Sequence, residues 1–344
     1  SANLKDTEAR YELVKTMRAS ILVLGPLIAK YRKAKIALPG GCAIGTRPID
    51  IHLKGLQKLG AVFEIENGFV VGKVKSNLRG NKIVLSFPSV GATENILMSS
   101  VLAKGETVIE NAAKEPEVVD LANCLISMGA KIERHGSEKI FIEGVENLNA
   151  SEHTIVSDRI VAGTYIIAGL MLNSNFTVKN FNPDHISSLI KILKEMGASI
   201  SVKKNSVILN NNKTLKPCKI ETLPYPGFPT DLQAQLMALL CLVDGNSEIK
   251  ETVFENRFMH VPELNRLGAK IRVIKDIAYI QGNRKFKGAQ VMASDLRASV
   301  SLVLAALCAE GHSTINRVYH LDRGYEKIEE TLGKLGLDIK RYKS

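Results

Sequence analysis

The chain has 344 residues, more than a single hydrophobic core usually organises, so its length predicts two domains. Hydrophobic residues make up 45% of the sequence, and it has no stretch of about 18 apolar residues of the kind that predicts a membrane span. The net charge of +11 favours anionic partners, but only 5% of residues are aromatic and Trp is absent, which argues against stacking on nucleic acid. We therefore expect no nucleic-acid or membrane partner.

The N-terminal residues lack the charged, apolar and small-residue order of a signal peptide. The cysteines are odd in number and widely spaced, and they form no CxxC pair: Cys42, Cys124, Cys218, Cys241 and Cys308. This spacing predicts neither disulfides nor a zinc site. It is typical of a protein from a reducing cytoplasm.

A helical pattern that ends in glycine and continues as a short alternating strand occurs five times along the chain. The glycines are 69, 68, 71 and 68 residues apart: Gly60, Gly129, Gly197, Gly268 and Gly336. Glycine after the last apolar residue predicts a helix end, and the alternation predicts a strand. A second helix and a β-branched strand accompany each copy. The sequence thus predicts an α/β chain of five repeated units.

Polar residues occupy fixed places in this repeat. The second helix begins near Arg18, Ser89, Arg159, Asp231 and Arg297. After the following strand come Arg47, His185, Arg257 and Arg323. Helix N-termini attract anions, and arginine donates to carboxylates and phosphates. We expect these ends to converge on one anion-binding cleft.

The segment 39–48, in chain order the first chemically distinctive motif, contains three glycines around Cys42. Adjacent glycines predict an exposed turn, so the Cys42 thiol is accessible, and Arg47 would lower its pKa. The alternative is an incidental loop cysteine. Cys124, Cys241 and Cys308 lie on apolar helix faces and are predicted core residues.

The later candidates each have a structural alternative. Asp231 follows Phe-Pro-Thr at a helix start, where it is either a residue beside the cap or a general base. Asp295, at the start of Asp-Leu-Arg-Ala-Ser, fits a helix cap with a surface charge beside it. The remaining alternatives are an exposed arginine at Arg257, an ion pair of Arg323 with Asp322, and structural or substrate-contacting roles for His52 and His260, which lack metal-type spacing.

Four motifs in combination resemble the UDP-N-acetylglucosamine 1-carboxyvinyltransferase family of enolpyruvyl transferases. They are Pro-Gly-Gly-Cys at 39–42, Phe-Pro-Thr-Asp at 228–231, Glu-Asn-Arg-Phe-Met-His at 255–260 and Asp-Leu-Arg-Ala-Ser at 295–299. The resemblance extends from 15–20 to 322–326. It implies an α/β fold, the inside-out α/β barrel built from βαβαββ units. Residues 1–156 would form a first domain with two units and the Cys42 loop, residues 157–344 a second with three, and the active site would lie in the cleft between them.

The resemblance also implies residue roles. Cys42 would protonate C3 of phosphoenolpyruvate, can form a covalent adduct with it, and would be the thiol that fosfomycin alkylates. Asp231 would take the proton of the sugar 3′-hydroxyl, with Asp295 and Arg323 also at the reacting centre. The implied substrate contacts are Arg18, Arg47, Pro48, Ile49, Asp50, Ile51, His52, Ser89, Val90, Gly91, Val253 and Arg257.

The implied activity is enolpyruvyl transfer from phosphoenolpyruvate to UDP-N-acetylglucosamine, the first committed step of peptidoglycan synthesis, by a cytoplasmic monomer that needs no metal or cofactor. The sequence departs from the family pattern in two places. The family's first unit, with a Lys-Asn pair, has no counterpart here, so five of six units are expected, and Phe87-Pro88 stands where a lysine is common. Two alternatives stay open: a nucleotide-binding form without turnover, and the related transferase that acts on shikimate 3-phosphate.

Overall fold

The computed structural model describes residues 4, 6–14, 18–38, 49–210 and 214–342. The chain divides into two compact units, with the boundary between Val156 and Ser157. Each unit has its own hydrophobic core. In the part of the chain that the structure describes, no helix is both long and apolar enough to cross a membrane.

The first unit contains two copies of one β-α-β-α-β-β arrangement. The first copy consists of β1 (Glu8–Ala9), α1 (Tyr11–Val14), a 3-10 helix (Arg18–Val23), α2 (Leu24–Tyr31), β2 (Lys33–Ala37), α3 (Asp50–Lys58), β3 (Val62–Glu66) and β4 (Phe69–Lys73). The second consists of β5 (Lys82–Val84), α4 (Val90–Ser100), β6 (Glu106–Glu110), α5 (Pro116–Ser127), β7 (Lys131–Glu133) and β8 (Lys139–Glu143).

The two sheets of this unit have the same topology. Their strand orders are β1-β2-β4-β3 and β5-β6-β8-β7, and in each the first two strands are parallel while the others pair antiparallel. A parallel pair needs a crossover connection, which a helix supplies in both copies. The repeat seen in the sequence is therefore a repeat of supersecondary structure.

The second unit begins with a copy whose described strands are all antiparallel, in the order β10-β11-β9. It consists of α6 (Arg159–Met171), β9 (Phe176–Lys179), a 3-10 helix (Pro183–Ile186), α7 (Ser187–Glu195), β10 (Ile200–Lys203) and β11 (Ser206–Leu209). This copy lacks the opening parallel strand among the described residues.

A complete copy and the opening half of another follow. The complete one is β12 (Lys219–Glu221), a 3-10 helix (Thr230–Leu232), α8 (Gln233–Leu242), β13 (Asn246–Lys250), α9 (Val261–Arg266), β14 (Lys270–Ile274) and β15 (Ile277–Gln281), in the order β12-β13-β15-β14. The half copy pairs β16 (Gln290–Met292) parallel to β17 (Thr314–Asn316) around α10 (Leu296–Leu307), and a 3-10 helix (Val318–Arg323) and α11 (Ile328–Lys334) follow.

The glycines that mark the repeat adopt the left-handed conformation predicted for helix ends. Their φ angles lie between 90° and 101°: Gly60, Gly129, Gly197, Gly268 and Gly336. A residue with a Cβ is strained there, whereas glycine ends the helix without that cost. The predicted helix ends are confirmed.

Helices occupy the interior of each unit, and the sheets have exposed outer faces. In α8, all nine residues from Gln233 to Cys241 are buried, because this helix is apolar on nearly every side. By contrast, Val62 and Ile65 on β3 are more than half exposed. This inside-out layering matches the α/β fold expected from the sequence, and it leaves the N-termini of the central helices as the places where polar side chains collect.

Two glycines at equivalent places, after β8 and β15, test the repeat. A Cβ on Gly144 would lie 1.6 Å from the carbonyl oxygen of Ala103, and a Cβ on Gly282 would lie 1.7 Å from that of Val243. Because backbone cannot yield as a side-chain tip does, Gly144→Ala and Gly282→Ala should each lower the free energy of unfolding by roughly 3 kcal/mol in urea titrations.

Gly333 is the matched control, because a Cβ there meets nothing within 4 Å and the residue lies within helix α11. Gly333→Ala should raise the free energy of unfolding by about 0.5–1 kcal/mol. If all three variants unfolded at the same urea concentration as the parent, the close backbone approach would be wrong.

Candidate active site

The predicted nucleotide contacts of the first unit lie at the starts of α3 and α4. Ile49 precedes α3 and Asp50 opens it, where a hydrogen bond from Lys54 at 2.8 Å lowers the pKa of the Asp50 carboxyl. Ile51 and His52 follow on the first turn. Cys42, Arg47 and Pro48 lie outside the described residues, and Arg18 opens the 3-10 helix before α2.

Ser89 caps α4, and its hydroxyl accepts from the backbone N–H of Ala92 at 3.4 Å. Val90 and Gly91 form the first turn, and the N–H groups at a helix start give an anion a favourable position. The His52 ring packs against this turn, since a Cβ on Gly91 would lie 3.1 Å from its Cε1 atom. The structure therefore brings the predicted stretches of α3 and α4 side by side.

In the second unit, Asp231 lies on the 3-10 helix that leads into α8, and its carboxylate binds two arginines. The Nη2 atom of Arg257 lies 2.6 Å from Oδ1, and the Nη2 atom of Arg297 lies 3.3 Å from Oδ2. The arginine side chains are 4% and 14% exposed, whereas that of Asp231 is 40% exposed. One carboxylate that faces solvent is thus held by two cations that are buried or nearly so, one at each oxygen.

The charges of this cluster depend on one another. Burial would lower the pKa of the Arg297 guanidinium, but the Asp231 carboxylate, with Tyr325 and Asp158, raises it. A buried cation without a counter-charge is strongly unfavourable, so Asp231 stabilises both arginines while they fix its orientation.

The alternative of Arg257 as an exposed arginine is wrong: it also donates to the Thr230 carbonyl at 3.4 Å and lies 5.5 Å from the Phe254 ring.

Asp295 is the cap of α10. Its Oδ1 atom accepts from the backbone N–H groups of Arg297 and Ala298 at 2.9 and 3.1 Å, and the residue is buried. The cap alternative is therefore confirmed, and it sets the course of the backbone that carries Arg297. Asp295 also lies close enough to His260 to act on its charge.

A buried hydrogen-bond chain supports Asp231 from behind. The Gln235 amide donates to the Asp231 carbonyl at 3.0 Å and to the Thr164 hydroxyl at 3.1 Å, and that hydroxyl also pairs with the Tyr325 hydroxyl at 2.7 Å. These hydrogen bonds connect α6, α8 and the segment after β17. Together with the Asp158 cap of α6, they show that the N-terminal turns of α6, α8 and α10 converge, as the repeat predicts for this unit.

The other two predicted residues of this unit lie at its margin. Arg323 is exposed at the end of a 3-10 helix, near His320, while Asp322 pairs with Arg341 at 2.5 Å.

Val253 donates its N–H to the buried carboxylate of Glu251 at 2.9 Å, and the Thr230 hydroxyl donates to the same group. Glu251 thereby ties the turn after β13 to the residue beside Asp231.

Sequence reasoning placed Arg297 at a helix start and gave His260 a structural or substrate-contacting role, but it assigned neither residue to the Asp231 cluster. The signal for Arg297 was present, because Arg-Ala-Ser at 297–299 repeats the tripeptide at 18–20. His260 is 2% exposed, and its Nε2 atom has no hydrogen-bond partner among the described residues. Among the cysteines predicted to be core residues, Cys241 is buried, Cys308 is half-buried and packs against the core of the second unit, and Cys124 is half-buried.

Comparison of sequences finds one matching family and individual similar proteins. The sequence model of a family described as EPSP synthase (3-phosphoshikimate 1-carboxyvinyltransferase) matches residues 1–332. A UDP-N-acetylglucosamine 1-carboxyvinyltransferase of Pelagibacter ubique is 54% identical over 98% of this chain and 82% of its own length. One from Caldanaerobacter subterraneus is 55% identical over 98% and 81%.

Solved structures show the same fold. The enolpyruvyl transferase NikO from Streptomyces tendae superposes with a TM-score of 0.88 at 26% identity, over 97% of this chain and 80% of its own. An EPSP synthase from Acinetobacter baumannii gives a TM-score of 0.71 at 20% identity, over 94% and 78%. The latter likeness concerns the fold alone.

His260 makes the stability of the second unit sensitive to pH. Burial lowers the pKa of the His260 imidazole from 6.5 to about 4. The Asp295 carboxylate acts in the opposite direction, and the Arg257 guanidinium adds to the lowering. As pH falls below 6.5 the unfolded chain binds the proton first, so the folded state loses stability between pH 6.5 and 4. We expect about 2 kcal/mol of unfolding free energy to be lost between pH 7.5 and 5.0 through this residue.

Urea unfolding of the parent and of His260→Gln at both pH values measures this loss. The variant should lose less stability on acidification than the parent. His312→Gln, which removes an exposed histidine, is the control and should behave as the parent does. An identical loss in His260→Gln would contradict the assignment.

Proposed function

The chain belongs to the UDP-N-acetylglucosamine 1-carboxyvinyltransferase family of enolpyruvyl transferases, and on that premise we propose that it transfers the enolpyruvyl group of phosphoenolpyruvate to the 3′-hydroxyl of UDP-N-acetylglucosamine and releases phosphate. The observation that carries the proposal is the identity of 52–55% with relatives of that name over 98% of the chain. The Asp231 site supports it, because the reaction needs a base at the attacking hydroxyl.

The reaction has an addition step and an elimination step. The sugar hydroxyl adds to C2 of phosphoenolpyruvate while C3 takes a proton; C3 then loses a proton as the bond to phosphate breaks. Asp231 is suited to the first task, because its carboxylate is partly exposed and is held by Arg257 and Arg297 without rotational freedom. Neither step calls for a metal or a redox cofactor.

The remaining roles follow the family resemblance. We assign the proton at C3 to Cys42, phosphate and carboxylate contacts to Arg18, Arg47 and Arg323, and nucleotide contacts to the starts of α3 and α4 and to Val253. The contacts of Arg257 and Asp295 refine two assignments. Arg257 holds the base, and Asp295 caps α10 and so places Arg297.

The biological setting is part of the proposal. With UDP-N-acetylglucosamine as acceptor, the reaction opens peptidoglycan synthesis and so serves cell shape and division. Four described cysteines are free thiols, which fits the reducing cytoplasm. The proposal also includes a monomeric enzyme.

The second candidate is transfer to shikimate 3-phosphate, the acceptor in the description of the matching family. Phosphate release distinguishes the two. With phosphoenolpyruvate present, UDP-N-acetylglucosamine should support turnover and shikimate 3-phosphate should not. The opposite preference would overturn the proposal, and nucleotide binding in calorimetry without phosphate release would make the chain a binding protein.

Asp231→Asn tests the base. It should lower kcat by a factor of about 10² to 10⁴. It should leave the calorimetric affinity for UDP-N-acetylglucosamine within about threefold, because a base contributes to the transition state rather than to binding. Asp338→Asn, at an exposed side chain, is the matched control and should not change kcat. A kcat for Asp231→Asn equal to that of the parent would remove Asp231 from the mechanism.

The reactivity of Cys42 gives a separate prediction. Burial raises the pKa of Cys218 and Cys308 to about 11 and that of Cys241 to about 12, so these thiols resist alkylation at neutral pH. Iodoacetamide at pH 7 should therefore modify Cys42 before Cys218, Cys241 and Cys308, as peptide mass spectrometry can show. The unfolded chain, in which all five thiols should react, is the control. A Cys42 that stays unmodified while Cys241 reacts would contradict the assignment.

A further inference from the structure

Asn95 is a fully buried polar residue of the first unit that the proposed mechanism does not use. It lies in the middle of α4 with 0% of its surface exposed. Its amide contacts three separate segments. Nδ2 donates to the Ile21 carbonyl at 3.0 Å and lies 2.9 Å from Nδ1 of His52, and Oδ1 accepts from the N–H of Gly25 at 2.8 Å. Every hydrogen of this amide has a partner.

These contacts fix which way round the amide lies. The Gly25 N–H can only donate, so it must face the amide oxygen, and the Ile21 carbonyl can only accept, so it must face the nitrogen. Both requirements agree, although they come from different residues. The second hydrogen of Nδ2 is then left to point at His52.

The orientation of Asn95 decides the protonation of His52. Because Nδ2 can only donate, Nδ1 of His52 must accept, and an accepting ring nitrogen carries no proton. His52 is therefore neutral, with its proton on Nε2. That edge of the ring faces the first turn of α4, where Nε2 would lie 3.5 Å from a Cβ on Gly91.

We propose that Asn95 is a positioning residue for the nucleotide. It holds His52 in the Nε2–H tautomer against the first turn of α4. It also ties both α3 and α4 to the segment that begins at Arg18. The ligand class is a nucleoside diphosphate, for which a neutral N–H donor and a helix N-terminus are suitable partners. The inference rests on the proposed function, since it concerns the same ligand.

Asn95→Asp is the test variant, because it keeps the shape and removes the donor. A carboxylate facing Nδ1 would draw a proton to that nitrogen and would repel the Ile21 carbonyl. The ¹⁵N NMR signals of the His52 ring, measured without substrate, should show an unprotonated Nδ1 in the parent and a protonated Nδ1 in the variant. The dissociation constant for UDP-N-acetylglucosamine should rise about tenfold or more, the effect of one lost buried hydrogen bond.

A positioning role of Asn95 and a purely structural role predict different changes in KM and kcat. For Asn95→Asp we expect KM for the nucleotide to rise while kcat at saturation changes less than about threefold, a loss of binding common to ground and transition states. Ser99→Ala is the matched control, because Ser99 is equally buried on α4 and its hydroxyl donates to the Asn95 carbonyl rather than to the amide. It should leave both the His52 signals and the affinity as in the parent.

The outcomes separate the two proposals. A protonated Nδ1 in the parent, or an unchanged affinity in Asn95→Asp, would overturn the role of Asn95 and leave the proposed function intact. A parent that does not bind UDP-N-acetylglucosamine would overturn the proposed function, whereas the tautomer measurement would still stand. If Asn95→Asp fails to fold, the parent spectrum still decides the tautomer, and Asn95→Ser provides the affinity comparison.

Discussion

One carboxylate shared by two arginines with little solvent exposure is the interaction on which the second unit depends. Arg257 and Arg297 come from different copies of the repeat, and both bind Asp231 from opposite oxygens. The Asp231 carboxylate is the counter-charge nearest to both guanidinium groups and offsets part of the cost of holding them away from water. The same contacts leave the carboxylate rigid and partly exposed, which are the properties a general base needs. Stability and proposed chemistry thus rest on the same three side chains.

The repeat explains how these residues meet. Each central helix begins with a polar residue after a loop, and the copies place their helix starts together in this unit. Asp158, Asp231 and Asp295 stand at or beside the starts of α6, α8 and α10, and Arg297 follows the last of them. In the first unit, α4 brings its N-terminal turn beside His52 in the same manner. A duplicated supersecondary motif therefore supplies equivalent positions that carry different chemistry.

Much of this arrangement could be predicted from the sequence because it is local. The spacing of Gly60 and Gly129 indicated helix ends that the φ angles confirm, and Asp295 before an apolar helical run indicated a cap. The partners of Asp231 could not be predicted in this way. The repeat predicts that the helix starts at Asp231 and Arg297 come together, but the ion pair between these side chains, 66 residues apart, is seen only in the structure.

The spacing of residues in the sequence also could not predict which side chains are buried. Arginine is usually a surface residue, yet Arg257 is buried because a carboxylate and an aromatic ring surround it. The burial of His260, and the contact of the Asn95 amide with Ile21, 74 residues away, could not be predicted from local sequence. Periodicity describes one element at a time, whereas these residues are defined by contacts among several.

The central claim is that Asp231 is the base that receives the proton of the acceptor hydroxyl. A crystal structure of the chain with UDP-N-acetylglucosamine bound tests it most directly. The account predicts that the 3′-hydroxyl oxygen lies about 3 Å from a carboxylate oxygen of Asp231, within hydrogen-bond reach, while Arg257 and Arg297 keep their contacts. A bound acceptor whose 3′-hydroxyl hydrogen-bonds another side chain, with Asp231 out of reach, would contradict it.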